Sequence, residues 1–202
     1  TVGKIAQAKG WIPFLDFAYQ GFGSGINEDA AGVRTLAQLC PNLFVAQSFS
    51  KNFGLYQERI GALHILAESA EAQTRVLSQV KVAIRSNYSN PPAHGGAITQ
   101  LILSDPQLYA QWDGEVAAMR ERIHNLRRQF VDALGAASVS RDFSFLCDQN
   151  GMFSFTGIAK DDVQKLRDDH HIYMVASGRI NVAGITSKNI DRLVAAIKAV
   201  LG

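Results

Sequence analysis

Ser48-Phe49-Ser50-Lys51-Asn52-Phe53-Gly54-Leu55, with Arg59 and Gly61 just beyond, gathers two hydroxyls, a lysine, glycines and an arginine into one turn-prone stretch. Hydroxyls and a guanidinium can converge on a phosphate, and a lysine amine beside it, once deprotonated, can form an imine with an aldehyde. On residue types alone, a surface loop with a solvated lysine is the commoner arrangement. Upstream, the apolar run 11–17 (WIPFLDF) delivers Asp16 towards a loop holding Tyr19 and Gly21. That carboxylate is open to two readings, a functional anion or a turn cap, and Tyr19 is likewise a site phenol or a packed core ring. Cys40 and Cys147 have no metal-type or redox-type spacing, and the pair His170-His171 has no third ligand spaced to join it, so no metal site is expected.

The elements that must position these groups read as an α/β protein. Residues 4–10 resemble the last turns of an amphipathic helix closed by Gly10. The run 11–17 predicts a buried strand, residues 27–29 precede a helix running to 39, 42–46 predicts a second strand, 60–67 a third and 70–84 another helix, an order that suits a parallel sheet with crossover helices. Pro91-Pro92 fits neither a helix interior nor a central strand, which makes 86–92 an irregular loop. From 105 to 134 one long helix is expected, with Pro106 in its first turn and Leu108, Trp112, Val116, Met119, Ile123, Leu126, Phe130 and Leu134 along one face. Glu121, Arg122, Arg127 and Arg128 are assigned to its solvated face. The remainder predicts short strands at 151–155, 172–175 and 180–182, a helix at 160–170, and a closing helix capped by Thr186 or Ser187. The boundary between a larger domain and a smaller one is placed inside the long helix, giving 1–117 and 118–202.

Composition narrows the class. Hydrophobic residues make up 47% of the 202 and charged residues 19%, as in a folded globular protein rather than a disordered chain. The net charge of +2 gives no reason to expect a nucleic-acid partner. No run of about 18 apolar residues is present for a membrane span, and the first residues lack the apolar core of a signal peptide, so a cytoplasmic protein is expected.

Four blocks, FLDFAYQGF, SFSKNFGLYQERIG, IRSNYSNPPAHG and VASGRINVAG, are spread from residue 14 to residue 184. In order and spacing they resemble the aspartate and aromatic amino-acid aminotransferases of the fold-type I pyridoxal-phosphate enzymes. The resemblance covers nearly all the chain but only the latter, C-terminal half of a full family member. It implies part of the mostly parallel sheet of a large cofactor-binding domain, joined through the long helix to a small α+β domain. It implies pyridoxal 5'-phosphate as cofactor, amino acids and 2-oxo acids as substrates, ping-pong transamination and a homodimer in the complete enzyme.

Residue by residue, the resemblance makes Lys51 the Schiff-base lysine and proton shuttle. Asp16 becomes the carboxylate that keeps the pyridine nitrogen protonated, and Tyr19 the phenol facing the cofactor's phenolic oxygen. Ser48 and Arg59 become phosphate ligands, with Ser50 in a lesser role. Arg179 becomes the clamp on the substrate α-carboxylate, a task that suits a planar guanidinium. Arg85 becomes the arginine reaching into the partner subunit's site for a side-chain carboxylate, and Ser89 falls in the segment near the dimer interface. Other possibilities are a non-catalytic folding or dimerisation fragment, and a pyridoxal-phosphate lyase or decarboxylase on the same fold. Arg85 and Arg179 together suit a substrate with two carboxylates.

Overall fold

The computed structural model describes residues 2–202; Thr1 lies outside them. The chain divides into two compact units, the first running to Val116 and the second from Ala117 to Gly202.

The first unit is built on a three-stranded sheet of β1 (Phe14–Phe17), β2 (Leu43–Ser48) and β3 (Gly61–Leu66), with β2 central. Helix α1 (Val2–Lys9) ends at Gly10, whose φ of 66° is the left-handed conformation that closes a helix at low steric cost. The short α2 (Ile26–Asp29) and α3 (Ala31–Leu39) follow β1 and return the chain to β2. Strands β1 and β2 are parallel, with Asp16 opposite Ala46, as a strand–helix–strand crossover requires. Leu43 and Val45, alternate residues of β2, are buried in one core cluster with Ala6 of α1, Leu36 of α3 and Cys40. A Cβ on Gly3 would meet Leu39 Cδ1 at 2.7 Å, so α1 lies as close to α3 as a bare backbone allows.

The third strand departs from the parallel expectation: β3 runs antiparallel to β2, pairing Ser48 with Gly61 and Leu43 with Leu66. No helix lies between β2 and β3, and without a crossover the chain can only fold back beside the strand it has just left. The connection is the Lys51 segment itself.

After β3, α4 (Ala70–Asn87) begins at Ser69, whose hydroxyl accepts from the Ala72 amide at 3.1 Å. The loop around Pro91-Pro92 leads into α5 (His94–Ser104), a helix with no counterpart in the sequence reading. The long α6 (Pro106–Ala136) is capped by Asp105, whose carboxylate accepts from the Gln107 and Leu108 amides at 2.8 and 3.0 Å. On α6, Trp112, Val116, Ile123, Phe130 and Leu134 are buried as the three-and-four spacing predicts, whereas Met119 is exposed.

In the second unit, β4 (Phe153–Phe155) and β5 (Arg179–Asn181) form an antiparallel pair accompanied by α7 (Lys160–His170) and α8 (Ile190–Leu201). Arg127 corrects the solvated face expected for α6. It is 2% exposed, and it donates from Nε to Ser154 Oγ at 3.0 Å and from Nη2 to the Gly151 carbonyl. Burial lowers its affinity for the proton, opposed by the neighbouring Cys147, but a guanidinium stays charged and therefore needs these acceptors. The strand expected at 172–175 does not form. The Ile172 amide is taken by the Leu166 carbonyl at the end of α7, and Val175 accepts from Gly178 in a turn, so this backbone is committed elsewhere. The last helix also starts later than expected. Asn189 occupies its N-cap, and Asn189 Oδ1 accepts from the Thr186 amide at 2.8 Å.

Candidate active site

Parallel pairing puts the carboxyl ends of β1 and β2 at one edge of the sheet, and the antiparallel β3 adds its amino end to the same edge. Loops beyond the carboxyl ends of parallel strands are where α/β sheets hold ligands. Asp16 is the third residue of β1, Ser48 the last of β2, and Gly61 the first of β3. The loop after β1 carries Tyr19, and the connection from β2 to β3 carries Lys51 and Arg59. Five of the seven expected site residues thus come from this one end of the sheet.

Lys51 Nζ lies over the Tyr19 ring, 4.7 Å from its centroid, within the range of a cation–π contact. Lys51 is half-buried and Tyr19 is 39% exposed, so the pair is both shaped by protein and open to a ligand. Asp16 is exposed, and its strand neighbours Leu15 and Phe17 point to the opposite face, packed on the core cluster. Ser48 Oγ accepts from the Ser50 amide at 3.2 Å, which ties the strand end to the start of the Lys51 turn. The Gly54 amide closes that turn on the Lys51 carbonyl at 3.2 Å. Arg59 is exposed, has a left-handed φ of 52°, and donates from Nη1 to the Tyr56 carbonyl at 2.8 Å.

Arg85 stands in the last turn of α4, exposed, and bonds Ser89 Oγ. Ser89 itself has a φ of 67°, a conformation that non-glycine residues seldom adopt. Arg179 belongs to the second unit, at the start of β5. Its guanidinium lies 4.8 Å from the Phe153 ring centroid and borders an apolar cavity of about 550 Å³ lined by Ile158, Leu166, Tyr173 and Leu193 among others. Among the described residues no group of three or more histidine, cysteine, aspartate or glutamate side chains is arranged to hold a metal.

The donor set at the sheet edge matches an aldehyde-bearing phosphate ester with a basic ring nitrogen: one amine, one carboxylate, one phenol, a hydroxyl and a guanidinium. The chain matches the profile of the class I and II aminotransferases over residues 1–197. It belongs to that family. Aspartate aminotransferase of Salmonella typhi is 52% identical over 201 residues, covering 100% of this chain and 51% of that protein. Aromatic-amino-acid aminotransferase of Escherichia coli is 44% identical, also over 201 residues and 51% of its length. In three dimensions the chain is similar to an aromatic-amino-acid aminotransferase of Burkholderia pseudomallei covalently bound to pyridoxal phosphate. Its TM-score is 0.95 at 49% identity, with 100% of this chain and 50% of that one covered. The chain therefore spans about half the length of the relatives it matches. Among the described residues no helix is long and apolar enough to cross a membrane.

Two residues that make hydrogen bonds of the Lys51 segment did not stand out in the sequence. Asn52 is 2% exposed although it is polar and adjoins a half-buried lysine, and Trp112 does more than fill the apolar stripe of α6. The available signal was the indole N–H, since a buried tryptophan needs an acceptor.

Proposed function

We propose that the complete protein is a pyridoxal-phosphate-dependent aminotransferase that moves the amino group of aspartate or an aromatic amino acid to a 2-oxo acid in a ping-pong cycle. The observation that carries this reading is Lys51 Nζ set over Tyr19 at the carboxyl end of parallel strands, with Asp16 and Ser48 on the strands that end there. Bound there, the cofactor would supply an aldehyde to capture an amine and a ring to accept electrons from the substrate's α-carbon.

The chain's own residues then divide the work. Lys51 would hold the cofactor through its Nζ and would carry the substrate's α-proton as general base and acid. Asp16 keeps a proton on the ring nitrogen by lying near it as an anion. Tyr19 offers its hydroxyl to the phenolic oxygen, while Ser48 and Arg59 bind the phosphate. Arg179 takes the α-carboxylate. Arg85 reaches the side-chain carboxylate in the partner's site of a cytoplasmic homodimer. In this reading the first unit is the C-terminal part of the large cofactor-binding domain and the second is the small domain. The relatives' names include both aspartate and aromatic aminotransferases, which supports this range of substrates.

The test is Lys51→Ala in the complete protein. With pyridoxal phosphate added, the unmodified protein should show the visible band of lysine-bound cofactor and form a 2-oxo acid from aspartate or phenylalanine. The variant should stay folded and lose both. Normal turnover by Lys51→Ala, or release of carbon dioxide in place of the 2-oxo acid, would defeat the assignment.

A further inference from the structure

Lys51 and Tyr19 come from different loops, and a flexible lysine side chain keeps a fixed relation to a ring only if the two backbones are locked together. The lock is visible one residue further along each loop. Asn52, next to Lys51, donates from Nδ2 to the carbonyl of Gln20, next to Tyr19, at 3.3 Å. Gln20 is fixed in turn: its side chain donates to the Ile26 carbonyl at 2.8 Å and accepts from Gln47 Nε2 at 2.7 Å. On the other side, Trp112 Nε1 donates to the Asn52 carbonyl at 2.8 Å. The Trp112 indole also stacks on Phe53 with centroids 4.5 Å apart, and Phe53 meets Phe49 edge-on at 5.3 Å. Asn52 and its neighbour Phe53 are thus gripped from α6, while the Asn52 amide reaches across to the Tyr19 loop.

The Asn52 amide keeps this role at a cost. Among the described residues its Oδ1 is buried with no hydrogen-bond partner, and an unfilled buried acceptor destabilises a fold. A side chain chosen for packing alone would be apolar at 2% exposure. We propose that Asn52, held by Trp112, is a positioning residue that fixes Lys51 Nζ against Tyr19; this rests on the aminotransferase reading above.

The test uses the complete protein loaded with pyridoxal phosphate and four variants: Asn52→Ala, Trp112→Phe, Tyr19→Leu and the Asn52→Ala/Tyr19→Leu pair. Trp112→Phe keeps a ring against Phe53 while removing the indole donor and part of the ring's volume. Asn52→Ala and Trp112→Phe should each lower kcat by about tenfold to a hundredfold with KM little changed, the scale expected from a displacement near 1 Å. Each should also shift the pH midpoint of the visible cofactor band by about half a unit or more, because the amine's surroundings change. In the Tyr19→Leu background, which removes the ring that Lys51 faces, the shift caused by Asn52→Ala should fall to less than half. A lowered melting temperature with unmoved midpoint and kcat, or an equal midpoint shift in both backgrounds, would overturn the proposal and leave Asn52 as a structural residue. If Asn52→Ala does not fold, Trp112→Phe answers alone. Absence of the visible band in the unmodified protein would instead defeat the aminotransferase reading itself.

Discussion

Replacing Asp29 by asparagine should loosen the loop that carries Tyr19, and the structure sets the size of the effect. The Asp29 carboxylate accepts from the amides of Gly21 and Gly23 on Oδ2, at 2.8 and 3.0 Å, and from Ser24 on Oδ1 at 2.8 Å. Burial alone would raise its proton affinity, but the amides of Ser24, Gly23, Gly21 and Gly25 outweigh burial and hold the carboxyl below the ordinary aspartate value. An asparagine of the same shape has one acceptor oxygen. Its better orientation keeps that oxygen towards Gly21 and Gly23 and turns its NH₂ against the Ser24 amide, losing one bond and opposing two donors. The two retained bonds also lose their charge assistance. Since Asp29 is only half-buried, solvent recovers part of the loss, and the net cost should be about 1 to 2 kcal/mol. Urea unfolding of the complete protein at pH 7 measures the cost, and hydrogen exchange at residues 21–24 shows where it falls. The sign with pH follows from the lowered folded value. The aspartate's contribution is full above its unfolded pKa of about 3.9 and is lost as pH falls through the folded one, so the gap to Asp29→Asn should close on acidification. A gap that stays constant or widens through the carboxylate range would refute the reasoning.

Gly61→Ala should disturb the phosphate end of the site, because a Cβ there would press on the Gln47 backbone carbonyl across the β2–β3 pair; pyridoxal-phosphate affinity, read by titration of the visible band, should fall and would stay unchanged if the strand could yield. Asp16→Asn should lower turnover far more than cofactor affinity, since an amide cannot stabilise a protonated ring nitrogen, and an unchanged kcat would make Asp16 a structural residue. Arg85→Leu should raise KM for aspartate by the equivalent of about 2 to 5 kcal/mol, as for one lost partner of a buried charge pair, while sparing phenylalanine; equal losses on both substrates would assign Arg85 to the interface.

The elements with strong periodicity or end signals were legible from residue types. The α6 stripe, the Gly10 helix end and the proline loop follow directly from spacing and turn chemistry, and the strands expected at 11–17 and 42–46 form at 14–17 and 43–48; the first run is not buried as expected, since Trp11, Ile12 and Phe14 are exposed. The direction of β3 was not, because an apolar run carries no sign of which way it lies; only the lack of a helix between 48 and 61 decides it. Arg127 misled for a related reason. Its type says surface, and its burial depends on Ser154 and Gly151, which lie 27 and 24 residues away in the sequence. Lys51, Asp16 and Tyr19 were found as a set only through the four ordered blocks. Asn52 and Gln20, which join their loops, are ordinary polar residues until the two loops are placed side by side.

The convergence has a topological cause that also explains why so short a segment carries so much of the candidate site. A parallel pair brings two carboxyl ends together, so the loops after β1 and β2 meet without any further constraint. Had β3 been parallel as well, its amino end would lie at the opposite edge, and Arg59, two residues before it, would be carried away from Ser48. The antiparallel return keeps Ser48 and Gly61 directly opposite one another, which confines the 49–60 segment to a loop anchored at both ends on the same edge. Confinement alone leaves such a loop many conformations. The Ser50 amide on Ser48, the Gly54 amide on Lys51, the Phe49 amide on the Ile60 carbonyl at 3.1 Å and the Trp112 indole on Asn52 remove that freedom one anchor at a time. In the proposed aminotransferase reading, a Lys51 amine placed this way meets the Tyr19 phenol already oriented, and the ordering entropy is spent in folding rather than at the reaction step.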